Sequence, residues 1–121
     1  MLIRKLKDCT EIIAGDSTKL KELLHPDRQY KFNGCYSLAH ARLEVGGKSD
    51  RHKLNSNEVY YILQGKGEIT IDNDTTVVEK GDVIDIPPNS VQSIKNTGDI
   101  DLEFLCIVDP AWKEEDEEIL E

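Results

Sequence analysis

Two patterns of turn residues and polar side chains between Gly46 and Asn96 decide the fold of this chain. The first runs from Gly46 to Gly65 as GGKSDRHKLNSNEVYYILQG, and the second runs from Gly81 to Asn96 as GDVIDIPPNSVQSIKN. Glycine and asparagine adopt the backbone conformations that tight turns require, and proline is confined to the ends or edges of strands. The spacing of these residues therefore predicts short strands separated by turns.

The same alternation continues on both sides of this stretch. From residue 36 to residue 109, apolar runs are separated by glycine, proline, asparagine or aspartate at intervals of about eight to twelve residues. This pattern is typical of an all-β sandwich or barrel. We predict one domain over residues 1–121, with a barrel core at about 36–109. The predicted strands are 36–45, 58–63, 68–71, 75–78, 83–86, 91–95 and 102–108.

The first third of the chain carries signals for one short helix. Asp16 or Ser17 can cap it, and Pro26 would end it. His25 would then lie at the helix C-terminus, where a cation is favoured. Met1 to Leu6 alternates in a way that predicts a strand. The apolar positions at helical spacing are Leu20, Leu23 and Leu24.

The C-terminal segment is predicted to be a short acidic helix over residues 110–121. Asp109 would be its N-cap and Pro110 its first residue. Five consecutive acidic residues at 114–118 are favourable near a helix N-terminus. Trp112 is expected to pack the start of this helix onto the barrel.

Composition excludes several classes of partner. The net charge of −9 repels nucleic acid and anionic lipid. No apolar run approaches the ~20 residues that would span a bilayer. Three scattered cysteines, Cys9, Cys35 and Cys106, favour free thiols over a disulfide framework. We therefore expect a cytoplasmic protein that binds neither nucleic acid nor membrane.

Strand parity places a group of polar side chains on one face. Residues two apart on a strand share a face, so His52 and Leu54 point the same way. Glu58 follows a short turn and can return its carboxylate to the same interior. Gln92, on a distant strand, would close the site from the opposite wall.

With its glycines, proline, acid and asparagine in register across both patterns, the chain resembles the cupin superfamily of small jelly-roll, or double-stranded β-helix, barrels. The resemblance covers roughly residues 36–112. It implies a divalent metal such as Mn, Fe, Zn or Ni, held by two histidines, a glutamate and a third histidine. It implies no organic cofactor. Here the corresponding residues are His52, Leu54, Glu58 and Gln92.

Two of these four positions depart from the family pattern. Leu54 cannot bind a metal, and Gln92 offers only a neutral carbonyl oxygen. His40 is a candidate replacement ligand if the interior of its strand is polar. If the interior is apolar, His40 points outward together with Arg42 and Glu44. The resemblance therefore implies a weakened metal site made by His52, Glu58, Gln92 and His40.

Parity also predicts the lining of the ligand pocket. With Glu58 pointing inward, its strand neighbours at even positions do so too, and so does one face of the last strand. Glu58 and Tyr60 are the candidate catalytic residues, because a carboxylate and a phenol can both move protons. The predicted lining is Leu54, Tyr60, Ile62, Phe104 and Cys106.

Members of the family that the chain resembles include sugar isomerases, dioxygenases, decarboxylases, epimerases and binding or sensor domains. A metal-dependent sugar or sugar-phosphate isomerase is one hypothesis, and a non-catalytic small-molecule binding or sensor domain is its rival. A dioxygenase would need a stronger ligand set. A metal-free epimerase would use His52 as base and Tyr60 as acid. A homodimer is expected, because edge strands are usually covered by association.

Overall fold

A computed structural model of the chain describes residues 1–120, which form eleven β-strands and two short 3-10 turns. The 3-10 turns are Leu6–Asp8 and Glu114–Asp116. Neither approaches the length of a membrane-spanning helix. The strands are β1 (Ile12–Ile13), β2 (Lys19–Leu24), β3 (Ser37–Leu43), β4 (His52–Leu54), β5 (Asn57–Gln64), β6 (Lys66–Ile71), β7 (Asp74–Glu79), β8 (Val83–Ile86), β9 (Gln92–Asn96), β10 (Leu102–Asp109) and β11 (Glu117–Ile119).

The strands form two antiparallel sheets. The six-stranded sheet has the order β1-β2-β3-β10-β5-β8, and the five-stranded sheet has the order β11-β4-β9-β6-β7. Their inner faces share one buried apolar cluster, to which β3, β5, β8 and β10 contribute from the first sheet and β6, β7 and β9 from the second. This confirms the predicted all-β jelly-roll barrel.

Strand β10 illustrates how alternation builds this core. Leu102, Phe104, Cys106 and Val108 are buried, whereas the residues between them are only half-buried. The period of two in side-chain direction therefore places one apolar face of the strand inside the barrel.

The turns fall where the sequence predicts them, and Gly65 and Asn96 show why those residues are required. Gly65 has a φ of +88°, a conformation that side chains disfavour. Asn96 is 1% exposed; its amide donates to the carbonyls of Leu43 and Ile100, and its oxygen accepts from the backbone of Gly98. Asn96 thus joins three segments at one end of the barrel.

Replacing Gly65 by alanine is expected to lower the free energy of unfolding by about 2–4 kcal/mol. A Cβ there would stand 2.8 Å from the carbonyl oxygen of Asp101, in addition to the strain of a positive φ. Gly46→Ala is the control, because φ is +79° at that position but nothing lies within 4 Å of the added carbon. Urea unfolding should show a loss of only about 1 kcal/mol for the control. Equal losses would contradict the role assigned to the close approach.

The predicted N-terminal helix is wrong. Residues 19–24 form β2, which pairs with β3 and so extends the six-stranded sheet. Leu20 is partly buried against the core cluster. The backbone bonds to β3 override a helical spacing of only three leucines. Met1 to Leu6 is not a strand either, and it leads into the first 3-10 turn.

The predicted C-terminal helix is also wrong. After a cis peptide bond between Asp109 and Pro110, the chain forms the second 3-10 turn and then β11, which pairs with β4. The backbone bonds of β11 to β4 override the local helix signals of Asp109 and Pro110. Trp112 anchors the segment through its backbone, whose N–H donates to Ser37 and whose carbonyl accepts from His25. Residue 121 lies outside the described residues.

Candidate functional site

A cavity of about 880 Å³ lies in the barrel, and we call it the barrel cavity. The inner faces of β2, β3, β4, β5 and β10 form its walls. The segments before β2 and after β10 also contribute side chains. Its lining includes Ile12, Asp16, Leu20, Ala39, His52, Leu54, Glu58, Tyr60, Phe104, Cys106, Val108, Trp112, Glu117 and Ile119.

His52 is held in a defined orientation at the polar end of this cavity. It is 2% exposed, and its Nδ1 lies 2.8 Å from the carbonyl oxygen of Asp50. A carbonyl only accepts, so Nδ1 carries a proton and donates it. The other nitrogen, Nε2, lies 3.5 Å from Oδ2 of Asp16.

A tight turn between Ala14 and Thr18 places Asp16 beside this imidazole. The N–H of Thr18 donates to Oδ1 of Asp16, and Ser17 adopts a positive φ of 74°. The Ser17 hydroxyl donates to the Asp50 carboxylate, and the Asp50 N–H donates to the Asp16 carbonyl. These bonds fix the turn to the start of β4, and therefore fix Asp16 relative to His52.

Glu58, Gln92 and Tyr60 form a buried chain of hydrogen bonds across the barrel. The Tyr60 hydroxyl donates to the Gln92 amide oxygen at 2.9 Å, and the Gln92 nitrogen donates to Oε1 of Glu58 at 2.8 Å. Burial raises the pKa of Glu58 to about 8. The hydrogen bond from Gln92 opposes this rise, and the nearby carboxyl groups of Asp16 and Glu117 make smaller contributions that add to it. Glu58 is therefore mostly protonated at neutral pH.

Glu117 reaches the same end of the cavity from β11. Its Oε1 lies 3.1 Å from the point where a Cβ on Gly15 would stand, so the carboxyl group covers the turn that holds Asp16. Burial raises the pKa of Glu117, and the nearby Asp16 carboxyl group adds to this rise. His52 and, more weakly, Trp112 oppose it. Three carboxyl groups and one imidazole therefore share this end.

The rest of the cavity wall is largely apolar and aromatic. The rings of Tyr60 and Phe104 are tilted against each other with centroids 4.6 Å apart. Burial raises the pKa values of the Tyr60 phenol and the Cys106 thiol well above their ordinary range. Both groups are therefore neutral, and Cys106 acts as a small buried apolar residue.

The residues expected to bind a metal do not fit one. Leu54 occupies one of the four implied positions with an apolar side chain, and both ends of the Gln92 amide are bonded to Tyr60 and Glu58. Within residues 1–120, no three His, Cys, Asp or Glu side chains are arranged to hold a metal ion. The amide has instead become the link in a protein-only network.

Most of the predicted site residues meet at the barrel cavity. His52, Leu54, Glu58, Tyr60, Phe104 and Cys106 all line it. Gln92 lies behind this lining and holds Glu58 and Tyr60. Ile62 is fully buried in the apolar core and is not part of the lining, which corrects the pocket prediction at that position.

Two of the three histidines lie elsewhere. Strand β3 turns His40 to the outer face of its sheet, where Nε2 lies 3.0 Å from Oε1 of Glu103, so His40 cannot complete a site with His52. His25 does not cap a helix. It is 2% exposed, its Nε2 donates to the carbonyl of Trp112, and its Nδ1 accepts from the N–H of Asp27.

Sequence reasoning missed Asp16 and Glu117. The sequence offers Asp16 only as a candidate helix cap, and Glu117 only as one of five consecutive acidic residues in the predicted C-terminal helix. The turn-forming sequence Gly15-Asp16-Ser17 is a signal for a bend, but nothing in it indicates that Asp16 faces His52. The pairing of β11 with β4, which brings Glu117 inward, has no local signal.

Residues 39–108 match the Cupin domain family, and this segment exceeds half of the 121 residues. The chain is a cupin. The family match covers most of the barrel, but it excludes the two segments that supply Asp16 and Glu117. The acidic end of this cupin's cavity is thus partly built outside the common domain.

Named relatives give the comparison more detail. An uncharacterised Methanocaldococcus jannaschii protein is 44% identical over 111 residues, which are 90% of this chain and 86% of the relative. An oxalate-binding protein of Thermotoga maritima is 33% identical over 73% of this chain and 68% of its own length. The solved structure of a Photorhabdus luminescens protein is 28% identical, with a TM-score of 0.77 over 96% of this chain and 91% of that one.

Proposed function

We propose that this cupin binds a small molecule in the barrel cavity without a metal ion. The observation that carries the proposal is the Tyr60–Gln92–Glu58 chain, in which Gln92 and Glu58, two of the positions where the family pattern implies metal ligands, are bonded within the protein. A buried polar network with all partners present is stable and fixes its side chains. His52, Asp16 and Glu117 then remain to orient a ligand.

The dimensions and lining of the cavity support this proposal. Small-molecule sites are typically concave, about 300–1,000 Å³ in volume, and mostly apolar with a few placed polar groups. The barrel cavity has about 880 Å³, an apolar wall that includes Phe104, and polar groups gathered at one end. A ligand would bury its apolar part against the wall and direct its polar part toward His52.

The acidic end disfavours anionic ligands. Sugar phosphates and oxalate carry negative charge, and a like charge near carboxyl groups costs free energy that burial makes larger. We therefore propose that the ligand is neutral or cationic, although the name of the Thermotoga relative indicates oxalate for that protein. An isomerase that uses this cavity would therefore take an unphosphorylated substrate.

A second candidate is a metal-independent isomerase or epimerase, and the pKa of Glu58 favours it. At a pKa of about 8, Glu58 keeps its proton at neutral pH and can act as a general acid. His52, with Nδ1 committed to Asp50, presents Nε2 as the candidate base. Tyr60 is the weaker acid, because its hydroxyl proton is donated to Gln92. A dioxygenase is not favoured, because its two-histidine, one-carboxylate set is absent among the described residues.

Metal analysis tests the metal-independent proposal directly. Protein purified without added metal or an affinity tag should contain no stoichiometric divalent metal. The rise in melting temperature that a bound ligand causes should be the same with and without EDTA. The double variant His52→Ala, Glu58→Ala should lose those ligand shifts. The matched control is His40→Ala, Glu103→Ala, which removes a histidine–glutamate pair from the outer face. One equivalent of metal that is lost only in the first variant would overturn the proposal.

The setting of the protein is a further part of the proposal. We propose a homodimer in a reducing cytoplasm, because the sheets end in edge strands and the three cysteines are free. Light scattering during size-exclusion chromatography tests the dimer. A mass of 13.7 kDa at all concentrations would contradict it.

A further inference from the structure

The charges around the barrel cavity are unequally distributed. The acidic end of the cavity holds three carboxyl groups, those of Asp16, Glu58 and Glu117, beside the single imidazole of His52. The permanently cationic side chains of the described lining are Arg4 and Arg28, and both are exposed.

Both arginines are committed to other partners. Arg4 donates to the carbonyl of Leu23 and stacks 4.2 Å above the ring of Tyr30. Arg28 donates to both carboxylate oxygens of Glu22 at 2.6 and 2.9 Å. Among the lining residues that the structure describes, therefore, no free arginine or lysine balances Asp16 and Glu117.

The wall beside the acidic end is aromatic. Tyr60 and Phe104 form a tilted ring pair in the lining, and Trp112 also lines the cavity. Aromatic faces attract cations, and the attraction is stronger in a site shielded from water.

We propose that the ligand of this cavity carries a protonated amine, which Asp16 and Glu117 bind as specificity-determining residues. This inference rests on the proposed function, since it names the chemical class of the molecule that the cavity takes. Asp16 comes from the turn before β2, and Glu117 from β11. Specificity is therefore set by segments outside the common cupin domain.

The two carboxyl groups suit this role because their positions are fixed before binding. Asp16 is held by the N–H of Thr18 and by the bonds that fix its turn to Asp50, and Glu117 is placed by the pairing of β11 with β4. Charge-assisted hydrogen bonds to preorganised carboxylates are about twice as strong as neutral ones. A hydroxyl in place of the ammonium group would lose this advantage, and a carboxylate would be repelled.

Matched amines and alcohols test the inference on the intact protein in EDTA. Calorimetric titrations with tyramine and tyrosol compare two molecules that differ only in an ammonium group and a hydroxyl. Hexane-1,6-diamine with hexane-1,6-diol, and phenethylamine with phenethyl alcohol, complete the series. Trp112 is the only tryptophan, so its fluorescence reports whether a probe enters the cavity. At least one amine should bind about tenfold or more tightly than its alcohol.

Variants separate a specific role from general electrostatics. Asp16→Asn and Glu117→Gln should each reduce the amine-to-alcohol preference by about tenfold, while melting curves report folding. Glu118→Gln is the control, because it removes an exposed carboxyl group one residue away, on the opposite face of β11. The control should keep the preference.

Every other outcome overturns the inference in a recognisable way. Equal binding of amine and alcohol would contradict the amine class but leave a metal-independent binding cavity intact. Binding of oxalate would likewise contradict the amine class and leave the metal-independent binding cavity intact. If no member of the three pairs binds at millimolar concentration, the amine assignment is wrong. Restored binding on addition of a divalent metal would overturn the proposed function as well.

Discussion

Replacing Glu58 by glutamine is expected to remove a large part of the pH dependence of stability between pH 5 and pH 8. The pKa of Glu58 rises from 4.5 to about 8 on folding, chiefly because the side chain is buried. Between these two values the folded chain binds a proton that the unfolded chain releases. The free energy of unfolding therefore falls as pH rises through this window, by up to about 1.4 kcal/mol per pH unit for this one group.

The integrated effect is large for a domain of this size. Over the three and a half pH units between the two pKa values, the free energy of unfolding falls by about 5 kcal/mol. This loss is comparable with the total stability of many small domains. Below pH 4.5 both states are protonated and Glu58 contributes nothing. In Glu58→Gln the neutral amide can still accept from Gln92, so the variant should become more stable than the natural chain as pH approaches 8.

Urea unfolding at a series of pH values measures this difference. Glu118→Gln is the control, because it removes an exposed carboxyl group and should keep the slope of the natural chain. Glu117, whose pKa is also raised, should leave a residual slope in Glu58→Gln. Identical slopes in Glu58→Gln and the natural chain would mean that Glu58 is already ionised in the folded state, as a bound cation would cause.

The scaffold was predictable because backbone geometry is encoded locally. Gly65 needs a positive φ, and Asn96 satisfies three backbone groups, so both residues report their turns without knowledge of the partner strands. The alternation of Leu102, Phe104, Cys106 and Val108 similarly identifies the inner face of β10. These signals fix the barrel.

The two ends of the chain were not predictable for the opposite reason. Residues 19–24 and 117–119 become strands because an edge of an existing sheet accepts their hydrogen bonds, and this edge is distant in sequence. Local spacing and charge instead favoured helices. The same long-range pairing brings Asp16 and Glu117 to His52, so the acidic part of the site was hidden together with the strands.

The roles of the site residues divide along the same line. Parity predicts that His52, Leu54, Glu58 and Tyr60 face one interior, and all four line the barrel cavity. It cannot show that Gln92 is bonded at both ends of its amide, because this depends on distances across the barrel. Sequence therefore predicts which side chains meet, and the structure determines what each is free to do.

Introducing two histidines, Leu54→His together with Gln92→His, is expected to give a protein that binds about one equivalent of a divalent metal such as Ni²⁺ or Zn²⁺. Gln92 pairs directly with His52 across β4 and β9, and residue 54 lies on the same face two residues along. Opposite side chains in such a pair have Cβ atoms about 4.5–5.5 Å apart. The variant would thus present three imidazoles and the Glu58 carboxylate to one point.

The environment of His52 already suits this change. Its Nδ1 donates to the Asp50 carbonyl, which is the arrangement that orients a metal-binding histidine and leaves Nε2 available. Calorimetry and metal analysis after dialysis measure the gain, and the triple variant that adds His52→Ala should lose it. Each variant with only one added histidine should bind the metal much more weakly, because it offers three strong ligands at most. The double variant could instead fold but bind no more metal than the natural chain. Side chains 54 and 92 would then not be what separates this cavity from a metal site. The acidic end built by Asp16 and Glu117 would itself prevent the arrangement of metal ligands.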